Sequence, residues 1–378
     1  MKGLVLAGGA GTRLRPLTCT RAKQLVPIAN RPILFYVLDT LAAAGIREIG
    51  IILSPETGAE VRAAVGDGSA WGARTHFIVQ SRPDGLAHAV KIAREFLGDS
   101  DFCMYLGDNL IGAPIGAAVA SFRASPELSA SVMLKEVRDP SRFGVAVLDA
   151  EGNVVRLVEK PEDPPSNLAL VGIYLLRPSI FAAIDETEPS ARGELEITDA
   201  LCKLLDRGGR VRFERLTSWW LDVGEKDSVL RANDTVLDAW LQHDVRGEVS
   251  ADSHLTGRIK IEEGAVIVRS SIRGPAIIGK GARIVDAQIG PFSSIGAGVV
   301  IERSAVARSV ILEDSHVLDT GRLEDSLIGR SVLVDSAASG AKDAEDAEDA
   351  KHAKHAKRDG AVSLFVGDHC RIELARKA

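Results

Sequence analysis

A glycine-rich stretch near the N-terminus, residues 8–18, contains the residue types best suited to bind phosphate. Glycines let backbone N–H groups approach phosphate oxygens closely, and Arg13 and Arg15 add charged hydrogen-bond donors. The stretch lacks the Gly-Lys-Ser/Thr of the Walker loop, and Leu14 stands where the dinucleotide-binding loop needs its third glycine. Two interpretations stay open from these residues alone: a phosphate-binding loop, or a tight turn with solvated arginines.

Two carboxylates that are distant in sequence could hold a metal ion. Asp108 follows the apolar run 102–106, and Asp222 lies in the segment 219–224. Mg²⁺ binds in proteins through one or two carboxylates together with phosphate oxygens. The alternative for either residue is an ordinary turn or capping aspartate. Lys23 could fold back over the glycine-rich stretch, although a lone lysine in a polar segment is usually only solvated.

The elements that must position these residues alternate between strand and helix. The hydrophobic pattern predicts strands at 2–7, 46–53, 75–79 and 102–106, and helices at 32–44, 55–65 and 85–97. Such alternation is typical of an α/β domain, in which helices cover both faces of a parallel sheet. Because ligands bind at the carboxyl ends of such strands, the loops 8–13 and 107–109 are the expected site.

The second half of the chain shows an internal repeat of 17 residues. Aliphatic residues recur at this period in three columns: Leu255, Ile272, Ile289, Val306 and Leu323; Ile261, Ile278, Ile295 and Leu312; Ile267, Ile284, Ile301 and Leu318. The spacing within each repeat is six, six and five, which predicts a parallel β-helix with three faces per coil. An antiparallel sandwich would instead show two-residue alternation. We expect the register to slip in the final coil, where Ile328 stands one position early.

The composition also indicates more than one domain. The chain has 378 residues, 46% of them apolar and 26% charged, as expected of a folded protein of two or three domains. Fifteen of the 17 aromatic residues lie within 1–241, which indicates two cores of different construction. We predict a first domain at 1–241, a linker at 242–248, a parallel β-helix at 249–336, a flexible low-complexity insertion at 337–360 and a terminal coil or cap at 361–378. We expect no metal site at His352 and His355 in the insertion.

Charge and cysteine content exclude several classes of partner. A net charge of −6 and a pI near 5.8 provide no basic field for a nucleic acid polymer. The apolar runs are far shorter than a membrane span, and the N-terminus is a poor signal peptide, so we expect no membrane partner. Four cysteines without metal-ligand spacing fit free thiols in a reducing cytosol, which predicts a cytoplasmic location.

Eight segments of the first 240 residues form an ordered set: 8–27, 71–90, 105–109, 142–149, 157–161, 166–176, 192–200 and 219–224. In order and spacing they resemble the sugar nucleotidyltransferases, and the whole layout resembles the long-form glucose-1-phosphate thymidylyltransferases. The resemblance implies a Rossmann-like nucleotidyltransferase domain with a mixed, mostly parallel sheet, followed by a left-handed parallel β-helix of 17-residue coils.

The resemblance also implies a reaction. A sugar 1-phosphate oxygen attacks the α-phosphorus of a nucleoside triphosphate in line, with Mg²⁺ as cofactor, and diphosphate leaves. The implied substrates are dTTP, with UTP as a possible substitute, and α-D-glucose 1-phosphate, and the product dTDP-glucose would feed deoxysugar biosynthesis. A homo-oligomer is the expected assembly. Uracil differs from thymine by one methyl group, which an apolar pocket distinguishes only weakly.

The site residues are carried over from the same resemblance. The implied catalytic residues are Arg13 and Lys23, and the implied metal ligands are Asp108 and Asp222. The implied nucleotide-binding residues are Leu6, Gly8, Gly9, Gly11, Thr12, Arg13, Gln24, Gln80, Pro83, Gly85 and Asp108. The implied sugar-phosphate-binding residues are Asn109, Gly144, Glu159, Lys160, Val171 and Arg192.

The role of the β-helix stays open. Hexapeptide-type β-helices commonly occur in acyltransferases, so a bifunctional enzyme that uses UTP and also transfers an acyl group is one alternative. His254 and His316 would be the available basic residues, but neither has a recognisable acyl-CoA setting. The other alternative, which we prefer, makes the β-helix a structural, regulatory or oligomerisation module.

Overall fold

The computed structural model describes residues 1–336, 356–358 and 361–374, so most of the predicted insertion 337–360, with His352 and His355, lies outside the described residues. The chain forms two compact units. The first contains Met1–Ala10, Ala22–Leu25 and Ile33–Asp222, and the second contains Gly11–Arg21, Val26–Pro32 and the described residues from Val223 onward. The domain limits given above stay a prediction.

The first 222 residues contain thirteen strands and seven α-helices. The strands are β1 (Lys2–Ala7), β2 (Pro27–Ile28), β3 (Arg31–Pro32), β4 (Glu48–Leu53), β5 (Arg74–Val79), β6 (Phe102–Leu106), β7 (Asn109–Ile111), β8 (Ala130–Glu136), β9 (Gly144–Leu148), β10 (Val154–Glu159), β11 (Leu168–Leu176), β12 (Val211–Arg215) and β13 (Trp220–Asp222). The helices are α1 (Ile33–Ala43), α2 (Gly58–Val65), α3 (Leu86–Ile92), α4 (Arg94–Leu97), α5 (Gly116–Arg123), α6 (Ile180–Asp185) and α7 (Ile197–Asp206). Short 3₁₀ turns occur at Thr12–Leu14, Leu17–Cys19, Lys23–Leu25 and Ser69–Trp71.

The first unit is built on a nine-stranded mixed sheet. Its order is β10-β9-β11-β6-β1-β4-β5, and β8 pairs with β11 and β12. The strands β6, β1, β4 and β5 are parallel, so their carboxyl ends meet at one edge. Strand β11 runs antiparallel to β6, β8 and β9, which makes the sheet mixed. The predicted α/β fold with a mixed sheet is confirmed.

Alternation along β1 explains why helices cover both faces of this sheet. Leu4 and Leu6 belong to one buried cluster, which also contains residues of α3 and α7. Val5 and Ala7 belong to a second cluster with residues of α1 and α2. Because successive strand residues point to opposite faces, a run of apolar residues fills both cores.

The second unit contains one long helix and the remaining strands. The helix is α8 (Lys226–Trp240). The strands are β14 (Asp244–Val245), β15 (Glu248–Val249), β16 (His254–Thr256), β17 (Ile259–Ile261), β18 (Val266–Val268), β19 (Ser271–Arg273), β20 (Ala276–Ile278), β21 (Arg283–Val285), β22 (Gln288–Ile289), β23 (Ser293–Ile295), β24 (Val300–Ala307), β25 (Val310–Ile311), β26 (His316–Glu324), β27 (Leu327–Ile328), β28 (Leu333–Asp335), β29 (Ala356–Arg358), β30 (Ala361–Ser363), β31 (Phe365–Val366) and β32 (Arg371–Glu373).

These strands stack in parallel as a β-helix. Each strand from β17 to β25 pairs with strands one coil before and one coil after it, whereas β14, β15 and β16 each pair with one strand only among the described residues. The first predicted column is confirmed, with Ile272 paired to Ile289 and Val306 paired to Leu323. The first column, and the other two columns as far as Ile295 and Ile301, pack in or against one buried core, which contains Ile311 and Val317 in place of Leu312 and Leu318.

The other two columns differ from the prediction in one coil. Ile295 pairs with Ile311 rather than Leu312, and Ile301 pairs with Val317 rather than Leu318. The register therefore slips one coil earlier than predicted, because the face after Val306 is one residue shorter. A bulge in the pairing of β24 with β26 restores the 17-residue step, and Asp319 adopts a positive φ of 53° there.

The last strands continue the same ladders. Strand β31 pairs with β27 and β32 pairs with β28, both in parallel. Strand β29 forms an antiparallel pair with β30. No helix among the described residues is long and apolar enough to cross a membrane.

Candidate active site

The carboxyl edge of the first sheet gathers several predicted nucleotide-binding residues. Gly8 and Gly9 follow β1, and Gln80 follows β5. A β-carbon on Gly8 would lie 3.5 Å from Gln80 Oε1, and one on Gly9 would lie 3.6 Å from Gln24 Nε2. Leu6 is 8% exposed, and its carbonyl accepts the Gly107 N–H at 2.9 Å. The strand ends thus bring glycines and two amide side chains into one cluster.

An ion pair forms the centre of this edge. Lys23 lies in the 3₁₀ turn Lys23–Leu25 and is 9% exposed, and its ammonium group contacts Asp108 Oδ2. Asp108 follows β6, and only 21% of its side chain is exposed. A buried lysine needs such a partner, because removing an unpaired charge from water is costly. The structure therefore brings together a cation and a carboxylate that are 85 positions apart.

A two-stranded ribbon brings the second predicted metal ligand to the same place. Strand β13 runs antiparallel to β7, and the pairing sets Asp222 opposite Asn109, the neighbour of Asp108. Asn109 is 2% exposed, and its Nδ2 donates to the Val171 carbonyl at 3.1 Å. The Asn109 Oδ1 atom is buried without a hydrogen-bond partner in the described part of the chain.

Gly172 makes this arrangement possible. Its φ is +85°, and a β-carbon there would lie 2.4 Å from Asn109 Nδ2. Only glycine adopts such a backbone conformation without strain. Val171 is fully buried, and the contact to Asn109 runs through its main-chain carbonyl.

The donor set at this ribbon fits Mg²⁺. Asp108 lies in the turn between β6 and β7, and Asp222 ends β13. Asn109 follows Asp108 in sequence and pairs with Asp222, and its Oδ1 is buried without a hydrogen-bond partner among the described residues. Mg²⁺ takes one or two carboxylates and leaves its other positions to water and phosphate. Within residues 1–336, 356–358 and 361–374, no group of three or more His, Cys, Asp or Glu side chains is arranged to hold a metal ion.

The loop after β5 is joined to the segment that precedes α7. The Leu195 N–H donates to the Asp84 carbonyl at 2.8 Å, and the Leu195 carbonyl accepts the Ala87 N–H at 3.0 Å. Gly85 has a φ of +107°, and a β-carbon there would lie 2.4 Å from Leu195 O. Pro83 is exposed in the same loop. The Leu195 main chain therefore connects the loop that contains Pro83 and Gly85 to the segment that contains Arg192.

A second group of predicted residues surrounds Glu159 at the end of β10. Gly144 pairs with Glu159 across β9, and a β-carbon on Gly144 would lie 3.1 Å from Glu159 Oε2. Thr198 Oγ1 donates to that oxygen at 3.3 Å. The Lys160 ammonium lies 3.5 Å from Glu159 Oε1, and the Arg192 guanidinium lies 3.6 Å from the same atom.

Burial raises the pKa of the Glu159 carboxyl above its usual range, although Lys160 and Arg192 act in the opposite direction. Lys160 itself has a positive φ of 40°, and 47% of its side chain is exposed. The group therefore combines a largely buried hydrogen-bond acceptor, Glu159, with a solvent-accessible cation, Lys160. Such a pair suits a ligand that carries both hydroxyl groups and a phosphate.

Sequence reasoning missed the residue that holds Arg192. Glu196 is 2% exposed, and its Oε1 accepts from Arg192 Nη2 at 2.6 Å, from Arg192 Nε at 3.2 Å and from Ser190 Oγ at 2.9 Å. Burial alone would lower the pKa of Arg192, but the bonds to Glu196 and the charges of Glu194 and Glu159 raise it. Sequence spacing did not signal this pair, because Arg192 and Glu196 precede α7 and do not share a helix face.

Three predicted residues, Gly11, Thr12 and Arg13, belong to the second unit. Gly11 has a φ of 62° and begins the turn Thr12–Leu14. The Arg13 guanidinium donates to Glu225 Oε1 at 3.0 Å, and both side chains are largely exposed. Sequence reasoning missed Glu225 as this partner. The catalytic and binding roles of all these residues stay predictions.

Comparison with known proteins finds a family and relatives that match most of the chain. The family described as Nucleotidyl transferase matches residues 2–239. A glucose-1-phosphate thymidylyltransferase from Streptomyces antibioticus is 49% identical over 334 residues, which cover 88% of this chain and 93% of that protein. The low-salt glycan biosynthesis nucleotidyltransferase Agl11 of Haloferax volcanii is 44% identical over 340 residues, 89% of this chain and 94% of its own. Both alignments are longer than the segment 2–239, so the likeness extends into the β-helix.

A solved structure is similar to a large part of this chain. The structure of a UDP-glucose pyrophosphorylase complexed with UDP-glucose matches with a TM-score of 0.57 and 26% identity. The match covers 63% of this chain and 98% of that one.

Proposed function

The chain belongs to the nucleotidyl transferase family, and from that premise we propose that it is a glucose-1-phosphate thymidylyltransferase. It joins dTTP and α-D-glucose 1-phosphate to give dTDP-glucose and diphosphate. The observation that carries this proposal is the grouping of Lys23, Asp108 and Asp222 at the carboxyl edge of the sheet, with Glu159, Lys160 and Arg192 supplied by the same unit.

The reaction needs charge neutralisation and positioning more than covalent help. An oxygen of the sugar phosphate forms a bond to the α-phosphorus, and the bond from that phosphorus to the oxygen of the leaving diphosphate breaks. In this proposal, Lys23 and Arg13 neutralise charge on the α-phosphoryl group and on the departing diphosphate. When bound, Mg²⁺ adds further neutralisation of the triphosphate. Asp108 and Asp222 would hold it.

The remaining residues orient the two substrates. Glu159 accepts hydrogen bonds from sugar hydroxyls. Gly144 belongs to the same pocket, and a side chain there would clash with Leu170 and Thr198. Lys160 and Arg192 hold the phosphate of the sugar, the first as a point charge and the second as a fork. Gly8, Gly9 and Gly11 direct main-chain N–H groups to the triphosphate, while Leu6, Thr12, Gln24, Gln80, Pro83 and Gly85 complete the nucleotide site.

The β-helix is proposed to be a structural or oligomerisation module in a cytoplasmic homo-oligomer. His254 and His316 are both exposed on the described coils. All four cysteines lie within the described residues and are free thiols, which supports a reducing compartment.

The proposed function is tested with a matrix of nucleoside triphosphates and sugar 1-phosphates, followed by diphosphate release with and without Mg²⁺. We expect dTTP with glucose 1-phosphate to be the best pair, UTP to be used more slowly, and turnover to need the metal ion. Asp108→Asn should lower turnover at least about 100-fold, since even groups that merely orient metal ligands are worth about 10- to 100-fold.

The matched control is Asp99→Asn, which changes an exposed aspartate of the same unit. It should keep the wild-type rate. Metal-independent turnover, or a preference for a purine nucleotide, would contradict the proposal.

A further inference from the structure

The side-chain amide of Gln80 has one defined orientation. Its Nε2 lies 3.2 Å from the Gly85 carbonyl oxygen, which can only accept a hydrogen bond, so the amide nitrogen must face it. The same nitrogen lies 3.0 Å from His88 Nδ1. Because Nε2 carries two hydrogens, the second one is donated to His88, whose Nδ1 is then the unprotonated acceptor and whose proton is on Nε2.

This arrangement leaves one atom of Gln80 for a ligand. Both N–H groups of the amide are used, and the Gly85 carbonyl is itself saturated because it also accepts the Ala89 N–H at 3.2 Å. Oε1 faces the end of β1, 3.5 Å from the position of a β-carbon on Gly8. Gln80 therefore presents an acceptor, and no donor, to the carboxyl edge of the sheet.

We infer that His88 is a positioning residue that makes Gln80 an obligate acceptor and so selects the base. This inference rests on the proposed function, in which Gln80 belongs to the nucleotide site, and it takes Gln80 as the side chain that reads the edge of the pyrimidine base. Thymine and uracil offer an N3–H donor to Oε1, whereas cytosine offers a lone pair at N3. A flipped amide could serve cytosine, but the flip would replace the hydrogen bond to Gly85 with a contact between Oε1 and the Gly85 carbonyl oxygen, and it would require the His88 proton to move from Nε2 to Nδ1.

The structure also separates two kinds of discrimination. Thymine and uracil are identical at N3, so Gln80 and His88 treat dTTP and UTP alike. They act against cytosine nucleotides only. Rejection of a base that leaves a fixed polar group unpaired is stronger than rejection of a missing methyl group.

The test compares three full-length variants by the ratio of kcat/KM for dTTP to that for dCTP. His88→Ala removes the acceptor and should lower the ratio about three- to tenfold, the worth of one side-chain hydrogen bond. His88→Asn places Oδ1 where Nδ1 was and should restore the ratio to within about twofold. His88→Phe keeps an aromatic ring of similar volume but has no hydrogen-bond acceptor, so it should lower the ratio as His88→Ala does. It keeps the test valid if the loss of volume in His88→Ala impairs folding.

Calorimetric binding of dTTP and dCTP is measured beside turnover. An unchanged ratio in His88→Ala and His88→Phe would overturn the inference, and so would failure of His88→Asn to restore it, because that pattern indicates packing. A wild-type chain that binds dTTP better than dCTP without turnover would contradict the proposed function alone. His254→Ala, at an exposed histidine of the second unit, is the control and should leave the ratio unchanged.

Discussion

At the scale of single residues, Glu196 determines where the Arg192 guanidinium lies. The Glu196 carboxylate is buried and accepts hydrogen bonds from Nε and Nη2 of Arg192. The remaining N–H groups of the guanidinium can then bind a phosphate. We predict that Glu196→Gln lowers kcat/KM for glucose 1-phosphate about 10- to 100-fold, because a hydrogen bond between charged groups is worth about 1.5–3 kcal/mol. Steady-state kinetics with each substrate varied in turn would show a much smaller change in KM for dTTP.

Glu194 offers a matched control for that experiment. It lies 3.6 Å from the same guanidinium, but 42% of its side chain is exposed. An exposed ion pair contributes about 0–1 kcal/mol, so Glu194→Gln should leave the kinetics nearly unchanged. Equal losses in Glu194→Gln and Glu196→Gln would show that charge near Arg192, and not its fixed orientation, is what matters.

The pKa of Glu159 predicts a pH dependence. Burial raises the pKa of this carboxyl, so the acceptor for sugar hydroxyls is protonated at a higher pH than an ordinary glutamate, whose pKa is about 4.3. We expect kcat/KM for glucose 1-phosphate to fall as the pH decreases through this raised value. The stability effect has the opposite sign, because the folded chain binds the proton more tightly and loses stability as the pH rises through the same window.

The measurement is a pH–rate profile of the wild type and Glu159→Gln at saturating dTTP. The acidic limb should be present in the first and absent from the second. A limb at the same pH in both proteins would assign the titration to another group.

Residue chemistry could be predicted from the sequence only in part. Asp108 and Asp222 are expected to hold one metal ion, and the pairing of β7 with β13 sets Asp222 opposite Asn109, the neighbour of Asp108. Glu196, Glu225 and His88 were not foreseen, because their importance comes from the atoms they contact after folding. A glutamate or histidine in a polar segment has many possible partners, and sequence spacing does not choose among them.

At the scale of secondary-structure elements, the β-helix core depends on each aliphatic residue of a column. Ile289 in β22 is 1% exposed and pairs with Ile272 and Val306 in the adjacent coils. We predict that Ile289→Ala lowers the free energy of unfolding by about 2–5 kcal/mol, since it leaves a cavity that the stacked coils cannot close. Urea denaturation followed by circular dichroism would measure the loss.

Gln288 precedes Ile289 on the same strand and is exposed. Gln288→Ala should change the free energy of unfolding by no more than about 0.5 kcal/mol. A similar loss in both variants would mean that the strand, and not the inward side chain, is sensitive to substitution.

The elements were more predictable than the residue contacts, with one instructive exception. The 17-residue period predicted the first column of the β-helix correctly, because its aliphatic residues pair at that step in every coil from Ile272 to Leu323. The prediction that Leu312 and Leu318 continue the second and third columns was wrong. One coil is a residue shorter on one face, and a bulge restores the 17-residue step. Sequence alone does not show that compensation, since Ile311 and Leu312 are both aliphatic and both buried.

At the scale of the whole molecule, the β-helix raises the question of a second activity. We predict that the full-length chain, supplied with acetyl-CoA and an aminosugar phosphate, releases no thiol above the uncatalysed background. The physical reason is that acyl transfer needs a base in a groove, and His254 and His316 are exposed side chains on the coils. A thiol-release assay gives the answer, with diphosphate release from dTTP in the same sample as the control for active protein. Sustained thiol release would establish acyl transfer.

The first coil of the β-helix has a consequence for solubility. Strands β14, β15 and β16 pair on one side only within the described chain, so their outer backbone groups form a sheet edge that another copy could extend into a fibre. Here the edge strands are two or three residues long, and Asp244 and Arg246 form an exposed ion pair beside β14. Short length and charge are the features by which natural proteins prevent end-to-end stacking, so this edge is protected against uncontrolled polymerisation.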